Sequence, residues 1–446
     1  MHPMFQALSR HCSEDSMLRD ATLALSSCNF SRLHPDIKDT TNRYMGYFSP
    51  ALVHQTRSQL YYSQAIRKFT ALSEYECQNT PIVILTVLTI FAYIESSMGN
   101  FHGFNCHDQG MSSLLLNLNV SLKDPTLEAL LAAWLQIRIV VWWGRAYFCS
   151  LQVLQHLPSA LLPELLQDGS ASPHRRRVTV LGIMCESHRL NFQRVLKHWE
   201  PTNTEVSEHQ EHLGEVEDYT QTISKLAMQS SELDIWVSEL PPSDLPIENH
   251  GHLEGSEMNL QENSIHFQSH EAALNYAYYV VGRIMQCTGL LEALRMNESP
   301  PSAHEFTEEE EWTLLLLRIV KGTDMQKSLT MNNYTIGFSG LLLTALLRCR
   351  SHSLGLEIQN WLQGLANLQS TEEGAFPLYQ TLGVAKAINR QKEIYRDVLG
   401  ATQPVDDDGG TPKFNAYNSQ PISTLLFHGI CKYSGALFSE CVSIDI

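Results

Sequence analysis

Residues Pro81–Ser97 read PIVILTVLTIFAYIESS, and after a short loop Phe101–Leu116 read FHGFNCHDQGMSSLLL. Thirteen consecutive positions, Ile82 to Ile94, are apolar or Thr, so the run is apolar almost all the way round a helix. A half-exposed helix would carry a polar stripe, and a membrane span needs about 20 apolar residues. The run predicts a core helix of a large soluble protein. Its Ile and Val would also suit a buried strand, but a run this long favours helix. His107-x-x-Gly110 then opens a second helix, where a small Gly110 lets two helix backbones approach closely.

Helical spacing extends to both sides of this pair. Ser16–Phe30 carries Leu18, Ala21, Leu23, Ala24 and Leu25, and Leu60–Leu72 places Tyr61, Ala65, Phe69 and Leu72 on one side of a helix. Leu127–Leu151 leads into the dense Val140–Trp143 run, and its Arg138 and Arg145 make it unsuited to lipid. Val178–Trp199 closes the first half. Helical patterning resumes at Ala272 and continues through Trp312–Lys321, Gly340–Leu347, Leu354–Leu368 and Phe376–Tyr395. The tail from Val405 reads as loose, strand signals are nearly absent, and no internal repeat recurs at a fixed period. The expectation is an all-α protein, an extended array of packed helices forming one large helical domain. It divides into an N-terminal helical half (1–200), an acidic flexible insert with one helix (201–271) and a C-terminal helical half (272–446).

Charge singles out the insert. The chain carries a net −17, and Glu200–Glu271 holds 16 acidic residues against a single Lys225. The remainder is close to neutral, so no basic face for nucleic-acid phosphates is in view. Within the insert Tyr219–Leu240 predicts an amphipathic helix, with Ile223, Leu226, Leu233 and Trp236 roughly on one face and a stop at Pro241-Pro242. Acidic residues around Leu233, Ile235, Trp236, Leu240 and Leu245 also fit an activation-type surface, in which charge keeps apolar side chains exposed for a coactivator. The N-terminus has no apolar stretch behind a basic start, so neither a signal peptide nor a membrane segment is expected.

The reactive residue types form no catalytic pattern. Ten cysteines are scattered, as small buried hydrophobes of an intracellular chain would be. His102, Cys106 and His107 are the densest set of soft ligands; without a fourth ligand they read as a loop and a helix-start histidine bonded to backbone. His209 and His212 miss the zincin spacing. Gly337-Phe-Ser-Gly340 lacks the spacing of a nucleophile elbow, and Lys321-Gly322-Thr323 lacks a preceding glycine loop. Glu308–Glu311 reads as a solvated helix start with carboxylates at the positive end of the dipole. No catalytic, cofactor-binding or metal residue is expected, and no cofactor. Arg175-Arg176-Arg177 reads as a positive loop between helices or as part of a nuclear import signal.

The apolar helix ending in Glu95, followed by His107-Asp-x-Gly110, resembles the middle of the fungal-specific transcription factor domain. Asp108 stands where that family has leucine, Met111 where it has alanine, and Phe101 and Phe104 lie where a tryptophan is common. Further segments match in order. LRDATLALSS with YYSQAIRKFTAL resembles the opening helices, SELDIWVSELP the central helix, and IGFSGLLLTALLRCRSHSLGLEIQNWL with GAFPLYQTLGVAKAIN the closing part. The resemblance spans Ser16–Tyr395. Regulators of this family usually carry a six-cysteine binuclear zinc cluster, whose thiolates must lie close together. Here Cys12, Cys28 and Cys77 are far apart and no Cys-x2-Cys occurs, so the cluster is absent.

The resemblance implies a nuclear transcriptional regulator or co-regulator, of the kind that serves specialised metabolism. Its partners would be proteins of the transcription machinery or a DNA-binding regulator, with a small effector between helices as a further ligand. It would make no sequence-specific DNA contact of its own and would not be an enzyme. A cytoplasmic helical scaffold or effector-binding protein without a promoter role is the alternative.

Overall fold

In the computed structural model the Ile82–Ile94 run lies within a helix, Pro81–Met98, whose residues from Ile84 through Glu95 are all buried. The structure describes residues 15–33, 36–37, 48–117, 125–148, 150–151, 154, 172–199, 208–247, 264–296, 307–368, 372–374, 376–404 and 422–444. They form an all-α protein with small antiparallel sheets, grouped into two compact units. The first comprises Met1–Arg145, Leu165–Val178 and Asp407–Ile422; the second comprises Ala146–Glu164, Thr179–Asp406 and Ser423–Ile446.

The first unit contains α1 (Ser16–Leu33), the short pair β1 (Asp36–Ile37) and β2 (Phe48–Ser49), α2 (Leu52–Thr70), α3 (Glu74–Asn79), α4 (Pro81–Met98), α5 (Phe101–Asn117) and most of α6 (Pro125–Phe148). α1 packs on α2 and α4, and α4 on α5. Polar ties accompany the apolar contact: Ser58 Oγ donates to the Ala24 carbonyl at 2.8 Å, and Lys68 meets Asp20 at 2.6 Å. α4 begins with Pro81, whose missing N–H costs nothing at a helix start. It ends at Gly99, whose φ of 73° is the left-handed cap that glycine adopts without penalty. α4 and the Pro125–Ala146 part of α6 are long and apolar enough to cross a membrane, but 67% and 78% of those stretches are buried inside the protein.

α5 starts at Phe101, six residues before the expected start at His107. The connection is only Gly99-Asn100, because the Asn100 side chain accepts the Gly103 N–H at 3.1 Å and caps the new helix at once. The close helix contact also belongs to a different glycine. A Cβ at Gly110 would meet only Leu88 at 3.9 Å, whereas one at Gly103 would lie 2.6 Å from the Glu95 carboxyl carbon and from Asn100 Nδ2.

The second unit holds α7 (Pro173–Leu196) from Thr179 onward, α8 (Glu208–Ser238), α9 (His270–Gln286), α10 (Gly289–Met296), α11 (Glu308–Lys321), α12 (Met325–Met331), α13 (Phe338–Leu346) and α14 (His352–Asn367). The hairpin β3 (Glu372–Glu373) and β4 (Phe376–Pro377) follows, then α15 (Leu378–Glu393) and a meander of β5 (Arg396–Thr402), β6 (Thr424–Cys431) and β7 (Leu437–Ser443). All nine residues of α13 are buried, and it lies among α9, α11, α14 and α15.

The meander departs from the expectation of a chain almost without strands. β6 is central, paired antiparallel to β5 and β7, with a register shift between Val398 and Gly400. Five of its eight residues are buried, four of them consecutive, so its sequence lacks the alternation that marks a half-exposed strand. The expected loose tail from Val405 falls largely on residues 405–421, outside the described ones.

The helix expected within the acidic segment is present, but it begins at Glu208 rather than Tyr219. α8 runs 31 residues and packs on α9. Trp236 is buried and stacks on Tyr279 at 6.0 Å, and Leu233 is fully buried beside Gly282. Leu226 joins one apolar cluster with Leu190 and Val195 of α7, Leu291 and Leu294 of α10, and Leu399 and Ile430 of the sheet. Residues from all three expected segments, 1–200, 201–271 and 272–446, share this cluster. Residues 201–207 and 248–263 of the expected insert lie outside the described ones.

Candidate functional site

The two segments that carry the resemblance meet through a polar cluster. Glu95, in the last turn of α4, faces His107 in the second turn of α5, and Tyr62 of α2 lies between them. The Tyr62 hydroxyl donates to Glu95 Oε1. His107 Nε2 lies 2.8 Å from the same hydroxyl and 3.9 Å from Glu95 Oε1. Tyr62 has one proton and spends it on the carboxylate, so His107 must carry a proton on Nε2 and donate to the phenol oxygen. His107 therefore bonds to a side chain rather than to backbone. The rings enclose Phe91, with Tyr62 edge-on at 4.9 Å and His107 tilted at 5.1 Å.

Burial pushes the Glu95 carboxyl up, but hydrogen bonds from His107, Tyr62 and Asn100 outweigh it and hold the group below its ordinary value. Burial, reinforced by the Glu95 carboxylate, pushes the Tyr62 phenol upward. Both shifts move away from neutrality. The hydrogen bonds form a lock that ties α2, α4 and α5 together.

The next residue ties α5 to α6. Asp108 accepts from Trp134 Nε1 at 2.8 Å and forms an ion pair with Arg138 at 3.1 Å, and the guanidinium lies 4.9 Å over the Trp134 ring. Burial raises the Asp108 carboxyl against the pull of Arg138 and Trp134. Asp108 thus makes polar bonds where leucine could only pack.

The His102, Cys106 and His107 set is divided. His107 turns inward to the lock, while His102 and Cys106 are exposed, with Cys106 Sγ 4.0 Å from His102 Nε2. Among the described residues, no group of three or more His, Cys, Asp and Glu is placed to hold a metal ion. Of the described cysteines, Cys28, Cys185, Cys287 and Cys349 are buried as expected, while Cys106 and Cys441 are exposed. His209 and His212 lie in the first turns of α8, and their side chains fall outside the described residues.

The second unit contains a paired capping arrangement with no local sequence signal. Glu373, fully buried, accepts from the Phe338 and Ser339 N–H groups at 3.0 and 2.8 Å, from Ser339 Oγ at 2.6 Å and from Asn332 Nδ2 at 2.5 Å. This carboxylate caps the start of α13, which explains the Gly337-Phe-Ser-Gly340 stretch. At the other end the buried Lys392 ammonium donates to the carbonyls of Leu346 and Cys349 at 3.3 and 2.5 Å. A negative group thus sits at the positive end of the helix dipole and a positive one at the negative end. Burial raises Glu373 and lowers Lys392, each partly offset by its partners.

Other sequence features settle into structural roles. Arg175–Arg177 fall in the first turns of α7, half-buried, rather than in a loop. Glu309 and Glu310 are buried rather than solvated, and Glu310 accepts the Thr307 N–H at 3.3 Å. Comparison with known proteins finds no matching family model, no matching curated protein and no matching solved structure.

Proposed function

We propose that this chain is a nuclear transcriptional regulator or co-regulator of the fungal-specific transcription factor type, acting through protein partners on genes of specialised metabolism. The observation that carries the reading is the lock: the acidic end of the apolar helix and the histidine that follows it, the two landmarks of the resemblance, are hydrogen-bonded through Tyr62. The helical architecture is consistent with it. Of the activation-type surface of Leu233, Ile235, Trp236, Leu240 and Leu245, Leu233 and Trp236 are core residues and Ile235 is the most exposed. The cysteine spacing of residues 1–446 cannot assemble a binuclear cluster, so these residues would reach promoters through a DNA-binding partner.

The test is a tagged chain expressed at its native level, imaged and crosslinked to chromatin. Nuclear residence with promoter occupancy that vanishes when a DNA-binding partner is removed is the expected result. Steady cytoplasmic residence without occupancy would refute the reading and favour the scaffold.

A further inference from the structure

We propose that His102 and Cys106 form a surface chelate for a divalent transition metal, zinc above all, on the exposed side of α5. Residues four apart on a helix project from the same side one turn apart. Both are exposed, and their ligating atoms already face each other, with Cys106 Sγ 4.0 Å from His102 Nε2. A tetrahedral zinc with ordinary bonds to thiolate and imidazole sets these two atoms about 3.6 Å apart. The pair therefore needs a movement of only about 0.4 Å, which exposed side chains make by a small change of rotamer. His107, one residue past Cys106, is turned about 100° around the helix and engaged with Tyr62, so it does not compete.

The chemistry selects the ion. A thiolate with an imidazole suits zinc, which accepts mixed sulfur and nitrogen ligands without redox change, better than magnesium or calcium, which demand oxygen. On binding, the Cys106 S–H bond breaks, the sulfur's electron pair forms the metal–sulfur bond, and the proton leaves to solvent. Among the described residues no third His, Cys, Asp or Glu joins the pair to make a metal group. The remaining positions of the tetrahedron are filled by water, so the site is a two-ligand chelate, weaker than the three- and four-ligand zinc sites.

The test uses the full chain, reduced and stripped of metal, titrated with Co(II) as a spectroscopic stand-in and then with Zn(II) in competition. The expected result is a thiolate-to-cobalt charge-transfer band that saturates at one equivalent and is displaced by zinc. Cys106→Ala should abolish the band, and His102→Ala should weaken binding by about tenfold or more, the scale on which even outer-shell partners matter. Cys441→Ala, which removes the other exposed thiol among the described residues, should leave the band unchanged. Both ligand positions are exposed, so unchanged far-UV circular dichroism serves as the control for folding. Absence of a band, persistence of the band in Cys106→Ala, or parent-like affinity in His102→Ala would each overturn the chelate.

Discussion

Gly103→Ala and Gly110→Ala make the same substitution seven residues apart on α5 and should act in opposite directions. At Gly103 the new methyl would lie 2.6 Å from the Glu95 carboxyl carbon, 2.7 Å from Glu95 Oε1 and 2.6 Å from Asn100 Nδ2. A free carboxylate would swing aside cheaply. This one is held by Tyr62, with His107 bonded to the same hydroxyl, so movement strains or breaks the lock. Overpacking of this kind costs about 1–3 kcal/mol, and displacing a buried carboxylate from its donors adds about 1–3 kcal/mol. Alanine returns about 1 kcal/mol of helix propensity. The net expectation is a loss of about 1–5 kcal/mol. At Gly110 the methyl meets only Leu88 at an ordinary 3.9 Å, so the propensity gain of up to about 1 kcal/mol survives. Urea denaturation of the full chain, followed by far-UV circular dichroism, measures both. Gly103→Ala in a Tyr62→Phe background should cost less than in the parent, since the carboxylate is then freer to move. Gly103→Ala at or above parental stability, or an equal loss at Gly110→Ala, would refute the close-contact argument.

The remaining expectations concern the second unit and DNA. Glu373→Ala removes the acceptor for two buried backbone N–H groups and should cost about 2–5 kcal/mol, read by the same denaturation; an unchanged midpoint would contradict the cap. Trp236→Ala should cost about 3–5 kcal/mol because the ring is core, whereas parental stability would return it to the surface. Burial lowers the His428 imidazole to about 4, so the unfolded chain binds its proton first as pH falls. That group's contribution is present above its unfolded value near 6.5 and is lost as pH falls toward 4, about 2 kcal/mol of it between pH 7 and 5. His428→Gln should flatten that part of the pH–stability curve, and an identical slope in parent and variant would exclude the assignment. Residues 1–446 should give no discrete gel shift with promoter fragments under excess competitor, since base readout needs a recognition element backed by basic groups on phosphate.

The amino-acid sequence by itself determined the helices. The Ile82–Ile94 run had no polar stripe and so had to be core, Pro81 and Gly99 set its ends, and the fourfold spacing of Tyr61, Ala65 and Phe69 placed their segment on a helix, which ends at Thr70 before Leu72. These are local properties of periodicity and backbone freedom, readable without knowing any neighbour. His107 and Glu95 were legible as landmarks, but not the bond between them, because Tyr62, which connects them, lies more than thirty residues before Glu95. The tightness of Gly103 over Gly110 depended on where the Glu95 carboxylate was pinned. The C-terminal meander was hidden because β6 is buried too continuously to alternate. Glu373 and Lys392 look like ordinary surface charges until α13 is enclosed; its ends then have no water, and only distant side chains can satisfy them. Local pattern fixes which segments coil and which faces are apolar, while burial of polar groups is decided by what the rest of the chain brings against them.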